Sequence, residues 1–450
     1  MNIRSALPLL FLMAAPFLQG ARCGDWGTCN TALPGDKTPN ASFPNHVYDT
    51  DTEHFVIFLD PTSPDYLSID PDRYLIMQEQ LECAYRYFVC ERKQEFPHTA
   101  KIPVYVGDHA RAIYGQDYIE LGEWILTNTP GREAKVYTQP VHEFFHRLAF
   151  DSGAYNGRLD LTEGLASLAE QMVSYETFTQ SLSDDLGGRT TMLTQPQNDF
   201  SHGKSIFLRY FLEQLAGDEL GRTVDEDWAV DELLGPLLDW MRTLYNEDPD
   251  VILQSLVKSH AVPGVSLSTE YDQIVNDFVT MRYAFDKVES RRTCRDGRDL
   301  YRQVKYSFRN SSELEEEATL ALYSSGTVLR VGDTLEASNH NVDYGGFTPI
   351  LGFRTFLGAE YHAFTVGSRV SNLLLTRGKT EDNVRFQVIF QRQDGCVIPH
   401  EVLAGGTFTE VVPIPTGSPI EEIVLVAYTV NATLTDGLGR LFGVTVEARP

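Results

Sequence analysis

The sequence predicts an α+β protein: a small mixed sheet, then a group of helices, then a β-rich C-terminal region. Three observations lead to this fold class. Strand-like and helix-like segments alternate before Pro140, helical periodicity prevails from there to about Val288, and β-rich segments with Gly and Asn turns follow Cys294. A chain of 450 residues is too long for one compact core, so two or three domains are expected.

The N-terminal segment, residues 1–23, is typical of a secretory signal peptide. Arg4 precedes the apolar run Ala6–Leu18, and small residues follow it. The run is too short, and too interrupted by proline, to remain as a membrane span, and no later stretch approaches one. We therefore expect a secreted protein, extracellular or periplasmic. Residues 24–50 are rich in Gly, Pro, Asn and Asp and are expected to form an extended N-terminal arm.

A sheet subdomain is predicted over residues 51–139, and a helical subdomain over residues 140–292 completes the same domain. The predicted strands of the sheet are His54–Leu59, Ile102–Val106 and Tyr118–Thr127, and helix Tyr74–Phe88 lies between the first two. The helical subdomain is expected to begin at Pro140, since proline suits the first helical position, with Thr138 and Gln139 as candidate caps. Its further helices are Leu161–Val173, Ser205–Leu215, Val230–Tyr245 and Tyr271–Ala284.

Residues 293–450 are predicted to form a β-sandwich module. Short segments with alternating or β-branched residues recur there, separated by turn residues. The clearest are Thr327–Val331, Arg385–Phe390, Ile423–Val430 and Leu441–Val446.

The charge balance excludes two classes of partner. The chain has 63 acidic and 37 basic residues, a formal net charge of −26. An excess of negative charge repels nucleic acid and anionic membrane surfaces, so we expect neither as a partner.

Six cysteines fit an oxidising destination. Cys83 and Cys90 lie seven residues apart on a helical stretch, which separates them by about 10.5 Å along the axis, too far for a bond between them. Provided that signal cleavage leaves Cys23 in place, the predicted pairs join Cys83 and Cys90 to Cys23 and Cys29, in either order, and Cys294 to Cys396.

The segment His142-Glu143-Phe144-Phe145-His146 has the pattern H-E-x-x-H on a predicted helix. A spacing of four puts both imidazoles on one face, where they can share one zinc ion. Glu143 lies beside that face and can act as general base toward the attacking water. The competing interpretation is a buried helix whose two histidines are satisfied by protein partners.

A second segment offers a third ligand. After the loop Asp151–Arg158, the sequence LDLTEGLASLAE opens another helix, and sixteen residues separate His146 from Glu163. That length suffices for the chain to turn and return antiparallel, which lets Glu163 face the two histidines. Two His and one Glu leave a fourth position open for water, the arrangement of catalytic zinc sites. The competing interpretation is an ordinary exposed carboxylate.

These two segments carry a resemblance to a known family. VHEFFH followed by LTEGLASLAE resembles the gluzincin zinc peptidases of the peptidase MA-like superfamily, whose aminopeptidases show H-E-x-x-H, then N-E-G-(F/L)-A with a further Glu seven residues on. Glu163 and Glu170 match that pair. The resemblance runs from about residue 52 to 290. It implies a thermolysin-like catalytic domain, a bound zinc ion and a polypeptide substrate.

Departures from the family pattern shape the expected activity. The loop before Glu163 is slightly shorter than in the aminopeptidases, and Thr162 stands where Asn is usual. Phe200 stands where the family carries the Tyr that stabilises the oxyanion, and a Phe cannot donate a hydrogen bond. His202, Tyr137 and Tyr155 are candidates for that role, and His202 is favoured because it lies two residues from the vacant position.

The segment Gly122-Glu-Trp-Ile-Leu-Thr does not reproduce the G-x-M-E-N element that binds a free N-terminus in the aminopeptidases. An endopeptidase therefore fits better. The resulting hypothesis is a secreted zinc endopeptidase with His142, His146 and Glu163 as ligands and Glu143 and His202 as catalytic residues. The alternative is a catalytically weak or inactive metal-binding protein whose C-terminal β-module binds glycans or cell surfaces.

Overall fold

The computed structural model confirms the α+β class. Its helices are α1 (Pro71–Tyr85), α2 (Lys135–Asp151), α3 (Leu159–Val173), α4 (Trp228–Thr243), α5 (Pro249–His260) and α6 (Leu267–Phe285). No helix in the described part of the chain is long and apolar enough to cross a membrane. The structure describes residues 33–94, 96–108, 113–114, 117–128, 135–154, 159–173, 207–208, 210–212, 215, 228–260, 267–285, 292–293, 322–338, 359–377, 384–402, 408–429 and 443–450.

The chain forms two compact units. One comprises residues 1–152 and 169–181, and the other comprises residues 153–168 and 182–450. The division passes through α3, which is a single continuous helix.

The first unit contains a five-stranded mixed sheet. Its strands are β1 (Val47–Asp51), β2 (Phe55–Leu59), β3 (Ile102–Gly107), β4 (Ile113–Tyr114) and β5 (Ile119–Gly122), in the order β1-β2-β3-β5-β4. The β2–β3 and β3–β5 pairs are parallel, and the two outer pairs are antiparallel. Val47–Thr50, the last residues of the predicted arm, belong to β1.

Strand β2 is buried along its whole length because both faces of the sheet are covered. On one face, Phe55 contacts Phe144 of α2, with 5.8 Å between ring centroids. On the other face, Phe58 stacks on Tyr105, which in turn stacks on Phe43 at 3.9 Å. This two-sided burial accounts for the uninterrupted apolar sequence FVIFL.

The predicted start of helix α2 and the predicted end of strand β5 were wrong. Helix α2 begins at Lys135 rather than at Pro140, which lies inside the helix. Proline there loses its own backbone hydrogen bond and crowds the carbonyl of the preceding turn, and the buried apolar face of α2 offsets that cost. The strand expected over Tyr118–Thr127 is the short β5, which ends at Gly122 where a 3-10 turn, Glu123–Ile125, begins.

The second unit carries two further sheets. Its strands are β6 (Arg292–Thr293), β7 (Leu322–Leu329), β8 (Thr334–Ser338), β9 (Ala359–Val366), β10 (Asn372–Arg377), β11 (Val384–Arg392), β12 (Cys396–Val402), β13 (Thr409–Pro413), β14 (Ile420–Thr429) and β15 (Gly443–Arg449). The sheet orders are β13-β10-β15-β8 and β6-β12-β11-β14-β9-β7. Alternate residues of both sheets, including Phe386 and Leu425 of one and Leu373 and Val446 of the other, share one hydrophobic core.

Helix α6 covers the other face of the six-stranded sheet through buried polar contacts. Gln387 Nε2 donates to Asn276 Oδ1 at 2.9 Å, and the Tyr428 hydroxyl donates to the same oxygen at 3.0 Å. The Tyr361 hydroxyl donates to the backbone carbonyl of Val279. These bonds satisfy polar groups that burial would otherwise penalise, so α6 and this sheet pack as parts of one unit.

Cys83, Cys90 and Cys396 are disulfide-bonded, and none of the cysteines that the structure describes is free. The remaining cysteines, Cys23, Cys29 and Cys294, lie outside the described residues. The pairing proposed from the spacing therefore stays a prediction.

Candidate metal centre

Helix α2 is anchored by the apolar residues inside its H-E-x-x-H motif. Phe144 and Phe145 are buried, and Phe145 contacts Phe88 with 5.4 Å between ring centroids. Leu148, one turn further on, is also fully buried. These side chains face the core of the first unit. Helical geometry turns His142 and His146, which are one turn apart, to another face of α2.

The three predicted ligands come together. His142, His146 and Glu163 each offer one ligand atom, and these atoms all lie within 4.8 Å of one another. The Nε2 atoms of the two histidines are 3.0 Å apart. The i, i+4 spacing on α2 brings the imidazoles together, and α3 supplies the carboxylate.

Glu170 of α3 orients the first histidine. Its Oε1 lies 2.6 Å from His142 Nδ1, and both side chains are buried. With Glu170 ionised, a neutral His142 would carry its hydrogen on Nδ1 and its lone pair on Nε2, which faces His146. Glu163 and Glu170 are two turns apart on one face of α3. The sequence pattern pointed to Glu170 only as a family match, without a role.

The donor set is compatible with zinc. Imidazole nitrogen and a single carboxylate suit Zn²⁺, whereas Ca²⁺ and Mg²⁺ prefer sites built of oxygen alone. Two nitrogens bound to one tetrahedral zinc lie about 3.3 Å apart, close to the observed 3.0 Å. A carboxylate behind a histidine ligand is the usual support for such a site.

Glu143, the predicted base, is buried with only 3% of its surface exposed. Its Oε1 accepts a hydrogen bond of 2.8 Å from Nε2 of Gln139, one turn earlier on α2. Gln139 had been predicted as a cap outside the helix, and the earlier start of α2 gives it this helical position instead.

Of the residues predicted to stabilise the oxyanion, Tyr137 lies within the part of the chain that the structure describes. His202, the favoured candidate, lies outside the described residues, as do Phe200 and Tyr155. Tyr137 lies on α2, about 140° around the helix axis from His142. That angle turns Tyr137 away from the face of α2 that carries the two histidines, and its role stays a prediction.

The segment of residues 122–127 has a structural role. Glu123 is buried, and its Oε1 accepts hydrogen bonds from the Ser63 hydroxyl and from the backbone N–H of Asp65, the latter at 3.2 Å. These bonds tie the 3-10 turn after β5 to the loop before α1. The Glu123 carboxylate is thus held by its own chain.

A second group of histidine and carboxylates also lies within 4.8 Å: Glu53, His54 and Glu82. Here each group already has a protein partner. His54 Nδ1 lies 2.7 Å from Glu82 Oε2, the backbone N–H of His54 donates to Glu82 Oε1 at 2.8 Å, and Arg86 donates to Glu53 at 3.0 Å. We interpret this group as an internal tie between α1 and the start of β2. Nothing in the sequence spacing indicated it.

The electrostatics of Glu82 agree with that interpretation. Burial opposes ionisation of its carboxyl, but the hydrogen bonds from His54 and Thr52 outweigh burial, so the pKa of Glu82 lies below its ordinary value. Glu82 is therefore an ionised carboxylate whose hydrogen bonds stabilise the fold.

Among known protein families none matches the chain, and no curated protein matches it either. The candidate site must therefore be judged by its own geometry and chemistry.

Proposed function

We propose that this protein is a secreted zinc metallopeptidase that hydrolyses peptide bonds within polypeptide chains. The observation that supports this most is the convergence of His142, His146 and Glu163 within 4.8 Å, next to a buried Glu143. Two histidines and two carboxylates, those of Glu143 and Glu170, are buried here beside a half-buried Glu163, which is costly unless a cation or hydrogen bonds compensate them. A catalytic metal site explains their clustering.

Each residue has a distinct role in this proposal. His142, His146 and Glu163 would hold the ion, and Glu170 would keep His142 in the tautomer with its Nε2 lone pair inward. Bound zinc would act as a Lewis acid that polarises the scissile carbonyl and acidifies the attacking water. Glu143 would take the proton from that water as the C–O bond forms, then hand it to the leaving amine as the C–N bond breaks.

Cleavage within chains is favoured over removal of N-terminal residues. An aminopeptidase needs a group that binds the free amine of its substrate. Glu123, the acidic residue of the corresponding segment, is occupied by Ser63 and Asp65 of its own chain. Blocked peptides should therefore be substrates.

The detailed architecture of the domains and the cellular location are part of the same proposal. We interpret residues 51–292 as a thermolysin-like catalytic domain, and the two sheets with a shared core as a β-sandwich. Disulfide bonds at Cys83, Cys90 and Cys396 support an extracellular or periplasmic location, because such bonds persist in oxidising compartments.

A second candidate function keeps the metal but not the chemistry. Phe200 removes the expected oxyanion donor, which favours a weak or inactive metal-binding protein whose C-terminal β-region binds glycans or cell surfaces. Because α6 is bonded to the six-stranded sheet, glycan binding should be tested on the full chain rather than on residues 293–450 alone.

The test compares the wild-type protein with Glu143→Gln. Zinc content by elemental analysis should be about one per chain in both, because Glu143 is not a ligand. Turnover of casein and of an N-terminally blocked peptide should fall about a hundredfold or more, since general-base catalysis typically contributes that much. Aminoacyl reporter amides should be poor substrates of the wild type.

Two results would contradict the proposal. Near-normal turnover in Glu143→Gln would remove Glu143 from the base role. A folded wild-type protein that holds zinc but cleaves none of these substrates would favour the binding protein.

A further inference from the structure

Gln139 is a side chain that hydrogen-bonds the candidate base. Its amide Nε2 donates to Glu143 Oε1 at 2.8 Å, and the two residues are one turn apart on α2. Gln139 is half-buried, whereas Glu143 is almost fully buried. The amide therefore bonds a carboxylate in a place where water can replace it only in part, which strengthens the bond.

The terminal torsion of a glutamate is soft. Rotation of the carboxylate about its last carbon–carbon bond has broad minima rather than the sharp wells of the inner torsions. A general base must present an oxygen to the water in one orientation, and small misplacements lower the rate steeply. A hydrogen bond to one carboxylate oxygen removes this rotational freedom.

We propose that Gln139 is a positioning residue that sets the plane of the Glu143 carboxylate for proton transfer. This inference rests on the proposed peptidase function. It assigns Gln139 no contact with substrate and no share in holding the metal. The alternative is that Gln139 and Glu143 form an ordinary i, i+4 pair, which stabilises the helix and affects folding only.

The chain contains a matched control for that alternative. Gln273 Nε2 donates to Asp277 Oδ1, also at 2.8 Å and also four residues apart, but on the exposed side of α6. Methionine is similar in length to glutamine and has good helix propensity, but it has no donor. Gln139→Met and Gln273→Met therefore remove amide–carboxylate bonds of the same length and spacing, one part-buried and one exposed.

We expect Gln139→Met to lower kcat by about tenfold to a hundredfold, with KM within about twofold and the zinc content unchanged. Gln273→Met should leave kcat unchanged, and Gln139→Met should have the lower Tm of the two because its carboxylate partner is buried, while both variants stay folded at the assay temperature. In a Glu143→Gln background, Gln139→Met should lower the residual kcat no further, because a positioning residue acts only through its target. An unchanged kcat in Gln139→Met, or an equal further loss in the Glu143→Gln background, would overturn the inference.

NMR provides a readout that does not need activity. With ¹⁵N-labelled glutamine, the Gln139 side-chain amide is assigned by its disappearance in Gln139→Met. A hydrogen bond to a carboxylate should shift one of its two protons downfield, and Glu143→Met should reverse that shift. An amide that is insensitive to Glu143→Met would refute the positioning contact. If the wild type cleaves no peptide, the proposed function fails, and this spectrum still decides whether Gln139 holds the Glu143 carboxylate.

Discussion

The two histidine–carboxylate groups that the structure describes have similar composition but different hydrogen-bond arrangements. In the group of His142, His146 and Glu163, two Nε2 atoms face each other, and an outer carboxylate, Glu170, holds the opposite nitrogen of His142. In the group of Glu53, His54 and Glu82, the histidine nitrogen that faces the carboxylates is already bonded to one of them.

The difference shows that proximity of ligand atoms does not by itself make a metal site. Glu53 has a permanent cation beside it, since Arg86 donates to it at 3.0 Å. His54 stacks on Tyr85 with 3.7 Å between ring centroids, which fixes its ring against α1. A metal ion would have to break these contacts, whereas at the first group it would lie between two imidazole Nε2 atoms and a carboxylate that the fold brings within 4.8 Å of one another.

The largest expected effect is on zinc content, when single residues are substituted in each of the two groups. His142→Ala, His146→Ala and Glu163→Ala should each lose the zinc, because two protein ligands rarely retain it against dilution. Glu53→Gln, which keeps the size of a half-buried side chain, should leave about one zinc per chain. Elemental analysis after gel filtration measures both. Zinc that survives all three alanine substitutions but disappears in Glu53→Gln would reverse the two assignments.

Glu170→Ala tests the outer carboxylate. Without it, His142 is free to adopt the other tautomer and to rotate, so the zinc affinity should fall by about tenfold to a hundredfold. Competition with a chromogenic chelator measures the affinity, and circular dichroism checks that the fold persists. Glu82→Ala is the matched control, since Glu82 bonds His54 in the same way but should not change the zinc affinity. Equal affinities in the wild type and Glu170→Ala would show that the contact is only structural.

The smallest expected effect concerns the group of Glu53, His54 and Glu82. It is the contribution of Glu82 to the free energy of unfolding, and the dependence of that contribution on pH. Oε1 of Glu82 accepts from the backbone N–H of His54, and Oε2 lies 2.7 Å from its Nδ1, so Glu82→Gln replaces a charged acceptor at both contacts by a neutral amide. At pH 7 the free energy of unfolding should fall by about 2 kcal/mol. The pKa of Glu82 is lowered on folding, so this stabilisation is complete above the ordinary value of 4.5 and is lost as pH falls through the lower folded value.

Urea denaturation of the wild type and Glu82→Gln at several pH values measures that dependence. The difference between them should be constant from pH 6 to 8 and should narrow below about pH 4.5. A difference that stays constant in acid, or widens, would mean that Glu82 stabilises the fold in its protonated form. The zinc content at pH 7 should be the same in both proteins.

Local sequence determined much of the fold and the first candidate residues. The apolar strands β2 and β3 and the helices α1, α3 and α6 follow from periodicity, since their burial depends on repeating faces that the sequence displays. His142 and His146 follow from their spacing of four on one helix, and Glu163 from the length of chain needed to return to them.

Only the tertiary structure decided what lies around those residues. A bond such as His142–Glu170 joins two helices, and the Glu53–His54–Glu82 group joins a strand to a helix, so neither has a signature in sequence spacing. Helix α2 begins before Pro140 because packing of its buried face outweighs the local preference of proline for a helix start. That same shift places Gln139 one helical turn before Glu143, where the two side chains can bond.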